Sequence, residues 1–189
     1  SNAVTDILTW ENSGAVVNLT MDETTGKSRL IQPYCQLIPQ DVNDDGVTEV
    51  PFPDWWNNGN DALTTWQQFN RIGWSHKVAQ TYHCRSGGWY FQLPERWWDR
   101  VTVETAEIMA GENQVTLYLD GEEALALYTI TSENRESRAS MGDRFILWRQ
   151  PGTIYAAELY GAAARYGMDV QQVNDCFHMM VSAWLPSSD

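Results

Sequence analysis

Hydrophobic and polar residues alternate with a period of two over residues 64–69 and 77–83, and the run 89–93 (WYFQL) is dense in β-prone side chains. A period of two sends successive side chains to opposite faces of a sheet, so these stretches read as strands. Further strands are expected over 14–20 (GAVVNLT), within 28–38, and over 101–105. Residues 114–119 and 124–131 flank Asp120-Gly121, while 143–149 and 153–159 flank Pro151-Gly152. Both dipeptides are turn formers and predict hairpins. Residues 23–27 (ETTGK) and 86–88 (SGG) read as turns, and 51–60 (PFPDWWNNGN), rich in Pro, Asn and Gly, reads as a loop.

Two stretches carry helical signals. Ser132 can cap a short helix reaching Ser140, with Glu133 early and Arg135 and Arg138 later, as the helix dipole favours. Asp169 can cap a longer one over 170–183, where Val173, Phe177, Met180 and Val181 recur at helical spacing. The predicted class is α+β: an antiparallel sheet of several hairpins, one longer C-terminal helix and a short helix. Residues 1–3 (SNA) read as the remnant of an affinity tag. Residues 4–50 read as N-terminal strands with an acidic loop and 51–189 as a Trp-rich α+β region, the two forming one continuous unit. No internal repeat is visible.

With 189 residues, 43% of them hydrophobic, the chain can bury a core. No run approaches the roughly 18 apolar residues of a membrane span, so the chain is not expected to cross a membrane. The formal net charge of −13 disfavours nucleic acid and anionic lipid surfaces, both of which need a basic face. It suits an extracellular protein in contact with divalent cations. Cys35, Cys84 and Cys176 are far apart and form no CxxC pair, so they read as small buried residues rather than zinc or redox ligands.

The acidic loop carries the main chemical signal. Residues 41–50 read DVNDDGVTEV. Calcium takes six to eight oxygen ligands, and alternating Asp or Asn side chains wrap them around one point, with Gly allowing the sharp turn. The candidate ligands are Asp41, Asn43, Asp45, the Val47 carbonyl and Glu49, with Gly46 at the turn. An EF-hand would place its bidentate Glu at the twelfth loop position, where this chain has Phe52. The pattern D-x-N-x-D-G-x-x-E instead resembles the calcium loops of FG-GAP and VCBS repeats. That resemblance implies the same five residues as ligands and a structural calcium. The alternative reading is an Asx-rich surface turn that holds no metal.

Ten tryptophans include the pairs Trp55-Trp56 and Trp97-Trp98. Exposed indoles can stack on sugar rings, which makes these four the candidate ligand-binding residues of a carbohydrate module. The alternative is that each pair gives one ring to the core. For nucleophilic catalysis the pieces would be Cys84 or a serine with His76, His83 or His178. Neighbours on a strand point to opposite faces, so His83 and Cys84 cannot pair. No GxSxG, HExxH, P-loop or dinucleotide fingerprint occurs, and no catalytic residue is predicted. Glu122-Glu123, beside a turn, read as solvated charge.

Three stretches, SGGWYFQLPERWWDRVTV, LYTITSENRESRASMGDRFILW and TIYAAELY, together resemble segments of uncharacterised exported lipoproteins of Gram-positive bacteria. In these a DxNxDGxxE loop precedes a β region rich in Tyr and Trp. The resemblance implies an extracellular, cell-surface location and no enzymatic role, and is compatible with a lipid anchor outside this sequence. The leading expectation is thus a noncatalytic surface module with one structural calcium, its partner a cell-surface glycan or protein. A carbohydrate-binding module is second and a hydrolase third.

Overall fold

The computed structural model describes residues 2–33, 37–56 and 59–180. The side chains of Trp55 and Trp56, and Cys35 altogether, lie outside what it describes. The chain divides into two compact units, Ser1–Tyr90 with Met179–Asp189 and Phe91–His178.

The first unit begins with short strands. β1 (Asn2–Val4) pairs antiparallel with β4 (Ile31–Pro33), and β2 (Leu8–Trp10) pairs with β3 (Val16–Asn18). Asn2 and Ala3, set aside above as tag remnant, thus take part in β1 opposite Pro33 and Gln32. The larger sheet runs β5 (Val50–Trp56), β6 (Asp61–Phe69), β7 (Ser75–Cys84), each antiparallel to the next. β8 (Trp89–Leu93) follows after the turn, and the division between the units falls within it.

Strand β5 corrects the expectation of a loop over 51–60. Pro51 and Pro53 are two residues apart, so their missing N–H groups face the same side. A strand paired on one side only can leave that side open. β5 is such a strand, lying beyond β6 in the strand order. The core of this unit gathers Leu37, Trp66, Ala79 and Met180, with Val42, Val78 and Tyr90 packed against them.

The second unit is built on a five-stranded antiparallel sheet. Its strands are β9 (Val101–Met109), β10 (Glu112–Leu119), β11 (Glu122–Ile130), β12 (Phe145–Gln150) and β13 (Thr153–Leu159), ordered β12-β13-β11-β10-β9. Both predicted hairpins form. Asp120 (φ 53°) and Gly121 (φ 83°) occupy the left-handed region that a two-residue hairpin turn of type I′ demands. Central β11 is buried on both faces from Ala124 to Ile130. Ala126, Tyr128 and Ile130 pack with Ala139, Ile154 and Ala156 on one face, while Leu125 and Leu127 face the other, opposite Leu117 and Val115.

Helices are few. α1 (Arg135–Ala139), α2 (Gly161–Arg165) and α3 (Val170–Cys176) are each short, and strand makes up 49% of the structure against 12% helix. The protein is therefore mostly β, and the expected α+β class with a longer C-terminal helix is wrong. Asp169 does cap α3: its carboxylate accepts the Gln172 N–H at 2.8 Å, and the Gln172 side chain accepts the Asp169 N–H at 3.0 Å. The helix then ends at Cys176. Phe177 is extended (φ −91°, ψ 125°), β14 (Phe177–Met179) follows, and the Met180 N–H donates to the Gly88 carbonyl at 2.9 Å. The apolar spacing of Phe177 and Met180 fits either element, and tertiary backbone pairing decided for the strand. Ser132 is not the cap of α1; its hydroxyl donates to the Asn134 side chain at 2.8 Å, and the helix starts beyond Asn134.

Candidate calcium loop and the buried polar strand

Register places the acidic loop against β6. Val50 pairs with Gln67, so Glu49, one step earlier, comes beside Gln68. Gln40 and Glu49 exchange backbone hydrogen bonds of 3.1 and 2.8 Å, which closes the base of the loop. Within it the side chains fold inward onto the backbone. The Asp45 N–H donates to Asp41 Oδ1 (3.1 Å) and Asn43 Oδ1 (3.2 Å), the Gly46 N–H to Asp41 Oδ2 (2.8 Å), and the Val47 N–H to Asp45 Oδ1 (2.8 Å). Asp44 (φ 58°) and Gly46 (φ 84°) supply the left-handed residues that let the chain turn so tightly. The Val47 N–H, then Gln68 and Asn43, hold the Asp45 carboxyl below its ordinary range.

Glu49 differs from its neighbours. Its side chain is fully buried, accepting the Val42 N–H at 2.8 Å and the Gln68 amide at 3.1 Å. The same Gln68 nitrogen donates to Asp45 Oδ2 at 2.8 Å, so a neutral amide bridges the two carboxylates. Among the described residues no Lys, Arg or His forms an ion pair with Glu49. A buried carboxylate without a countercharge is costly even when hydrogen-bonded. The donor set fits a hard cation: four side chains that offer oxygen, plus the exposed Val47 with its carbonyl. The three carboxylates do not converge: among the described residues no three His, Cys, Asp or Glu side chains are grouped closely enough to hold an ion.

The tryptophan candidates separate. Trp97 is fully buried and offers no ring to solvent, whereas Trp98 is half-buried with its indole N–H donated to the Leu93 carbonyl at 2.9 Å. Among the described residues the strongly exposed indoles are others: Trp10 (71%), Trp74 (75%) and Trp148 (53%). Sequence reasoning passed them over because it looked for adjacent pairs. The usable signal was an isolated aromatic residue beside a polar turn.

The β7 strand holds a polar ladder on both faces. On one face the Trp66 indole donates to Thr81 Oγ1 at 2.8 Å, and that hydroxyl meets His83 Nε2 at 2.8 Å. The His83 ring stacks on Tyr90 with centroids 5.4 Å apart. Complete burial depresses the His83 pKa to about 3, so it is neutral at physiological pH. On the other face the Tyr82 hydroxyl donates to buried Asp61 at 2.5 Å, and the Cys84 sulfur lies 3.6 Å from Ser86 Oγ. Burial pushes the Cys84 thiol up to about 11, far from a nucleophilic thiolate. Its neighbours there are Ser86, Gly87, Tyr82 and Asp61, with no imidazole among them. His76 is exposed, and Arg85 reaches from the turn to the Gly59 carbonyl at 2.9 Å. Cys176, like Cys84, is raised by burial to about 11. Glu122 and Glu123 are exposed, as expected, and Glu122 pairs with Arg165 at the surface.

Among the described residues no helix is long and apolar enough to cross a membrane. No protein-family model, no curated protein and no solved structure matches this chain.

Proposed function

We propose that residues 41–49 bind calcium in a structural role, within a noncatalytic module displayed at a bacterial cell surface. The observation that carries the reading is Glu49: a fully buried carboxylate, bridged to Asp45 by a neutral amide and with no ion-pair partner among the described residues. Asp41, Asn43, Asp45, the Val47 carbonyl and Glu49 would hold the ion. Calcium would supply the missing countercharge and pull together three carboxylates that otherwise repel. The surface location rests on the resemblance to exported lipoproteins and on the net charge of −13. The noncatalytic reading draws on the Cys84 thiol, which burial keeps protonated and which has no imidazole among the described groups that act on it.

Loops of this kind in extracellular proteins bind calcium at roughly 10⁻⁴ to 10⁻³ M. Free calcium tenfold above the dissociation constant stabilises the folded state by about 1.4 kcal/mol. Thermal unfolding in chelator and in millimolar calcium tests this, with Glu49→Gln as the variant expected to lose the difference. Identical melting curves for the parent chain in the two buffers would count against the site.

A further inference from the structure

We infer that a cleft of about 420 Å³ between Trp10 and Arg71 binds an oligosaccharide, with the Trp10 indole as its stacking face. Both walls belong to the first unit. One is the end of β2 and the turn after it, where Thr9 and Trp10, then Glu11, Asn12 and Ser13, line the space; the other is Arg71 at the tip of the β6–β7 hairpin. The volume lies within the range of roughly 300–1,000 Å³ typical of small-molecule sites.

Both walls are held in place without a ligand. The first is closed by the Glu11 N–H to the Ala15 carbonyl and the Gly14 N–H to the Glu11 carbonyl, each 2.9 Å. The Ser13 hydroxyl donates to Glu11 Oε2 at 3.2 Å and orients that carboxylate. At the other wall, Asn70 Oδ1 accepts the N–H groups of Ile72 (3.1 Å) and Trp74 (3.0 Å). Gly73 (φ 79°) lets this tip approach the residue after β3: a Cβ there would lie 3.0 Å from the Leu19 carbonyl, so a larger residue would shift the tip. Binding to such preformed walls costs little ordering.

The chemistry of the lining selects a sugar. Trp10, 71% exposed, offers a large apolar ring to the C–H face of a pyranose. Around it stand a carboxylate, an amide, two hydroxyls and a guanidinium, a mixed set of donors and acceptors suited to hydroxyl groups. Among the described residues the Asn12 and Arg71 side chains make no hydrogen bond or ion pair, so their capacity is free for a ligand. The cleft contains none of the calcium-loop residues, so its occupancy stands or falls separately from that reading.

The test is titration of the full chain with chitotriose, cellotetraose, xylotetraose and trigalacturonate, in chelator and in calcium, followed by the Trp10 indole N–H resonance. One of the four is expected to shift that resonance saturably in both buffers. Trp10→Ala and Arg71→Ala are each expected to weaken binding about tenfold or more, while Trp74→Ala, outside the cleft, leaves it unchanged. An indole unmoved by all four sugars would overturn the inference. So would binding that survives Trp10→Ala, or a Trp10 shift that depends on protein concentration without sugar and so reports self-association.

Discussion

A neutral, fully buried histidine gives the folded state a pH signature. Burial lowers the His83 pKa from 6.5 to about 3, so between those values the unfolded chain takes up a proton that the native ring refuses. Stability contributed by the neutral ring is complete above pH 6.5 and falls as acid is added, at about 1.4 kcal/mol per pH unit. Denaturant melts from pH 7 to 5 should show this slope, and His83→Gln should flatten it. Cys84, one residue on, faces the other way with a thiol raised to about 11. It should resist alkylation at neutral pH in the native protein and react once unfolded; rapid stoichiometric labelling of the native chain would restore the nucleophile reading. That His83 and Cys84 cannot pair was legible in the sequence, since strand periodicity alone separates their faces. That both faces would be buried was not, because an exposed and a buried strand share the same alternation.

Among the elements, the hairpins were read from their turns, and the reason is local: Asp-Gly tolerates positive φ at both positions, and Asp120 and Gly121 take it here, so the flanking strands follow. The helix over 170–183 failed because its apolar spacing is ambiguous and backbone pairing after Cys176 is a long-range matter. Its start succeeded because a cap is local. Removing that cap by Asp169→Ala should cost about 1 kcal/mol in chemical denaturation. A larger effect belongs to the link between β10 and α1. Buried Glu112 accepts from Arg138 at 2.5 Å and Arg144 at 2.8 Å, and the Arg144 guanidinium lies 3.6 Å from the Tyr128 ring centroid. Burial opposes ionisation of Glu112, but the two guanidiniums outweigh it and hold the carboxyl below its ordinary range. Glu112→Ala would strand two cations, one of them nearly buried, and should cost about 3 kcal/mol or more. A loss below 1 kcal/mol would mean the network relaxes into solvent.

For the molecule as a whole, charge and calcium are the linked questions. A chain with 25 acidic and 12 basic residues gains from a divalent ion wherever carboxylates lie near one another, and at Glu49 a buried carboxylate shares the Gln68 amide with Asp45. The ligand motif was legible as spacing, whereas the Gln68 bridge, supplied by a strand distant in sequence, was not. If that amide stands in for the ion, Gln68→Ala should lower the melting temperature in chelator more than in calcium. The most direct measurement is a calcium titration followed by backbone amide resonances. The Gly46 N–H, which donates to Asp41 Oδ2 at 2.8 Å, is the reporter. Saturable shifts confined to residues 41–49 and Gln68, lost in Glu49→Gln, are the expected result. Amides that stay fixed up to ~10 mM calcium, well above the dissociation constants such loops reach, would contradict the proposed site.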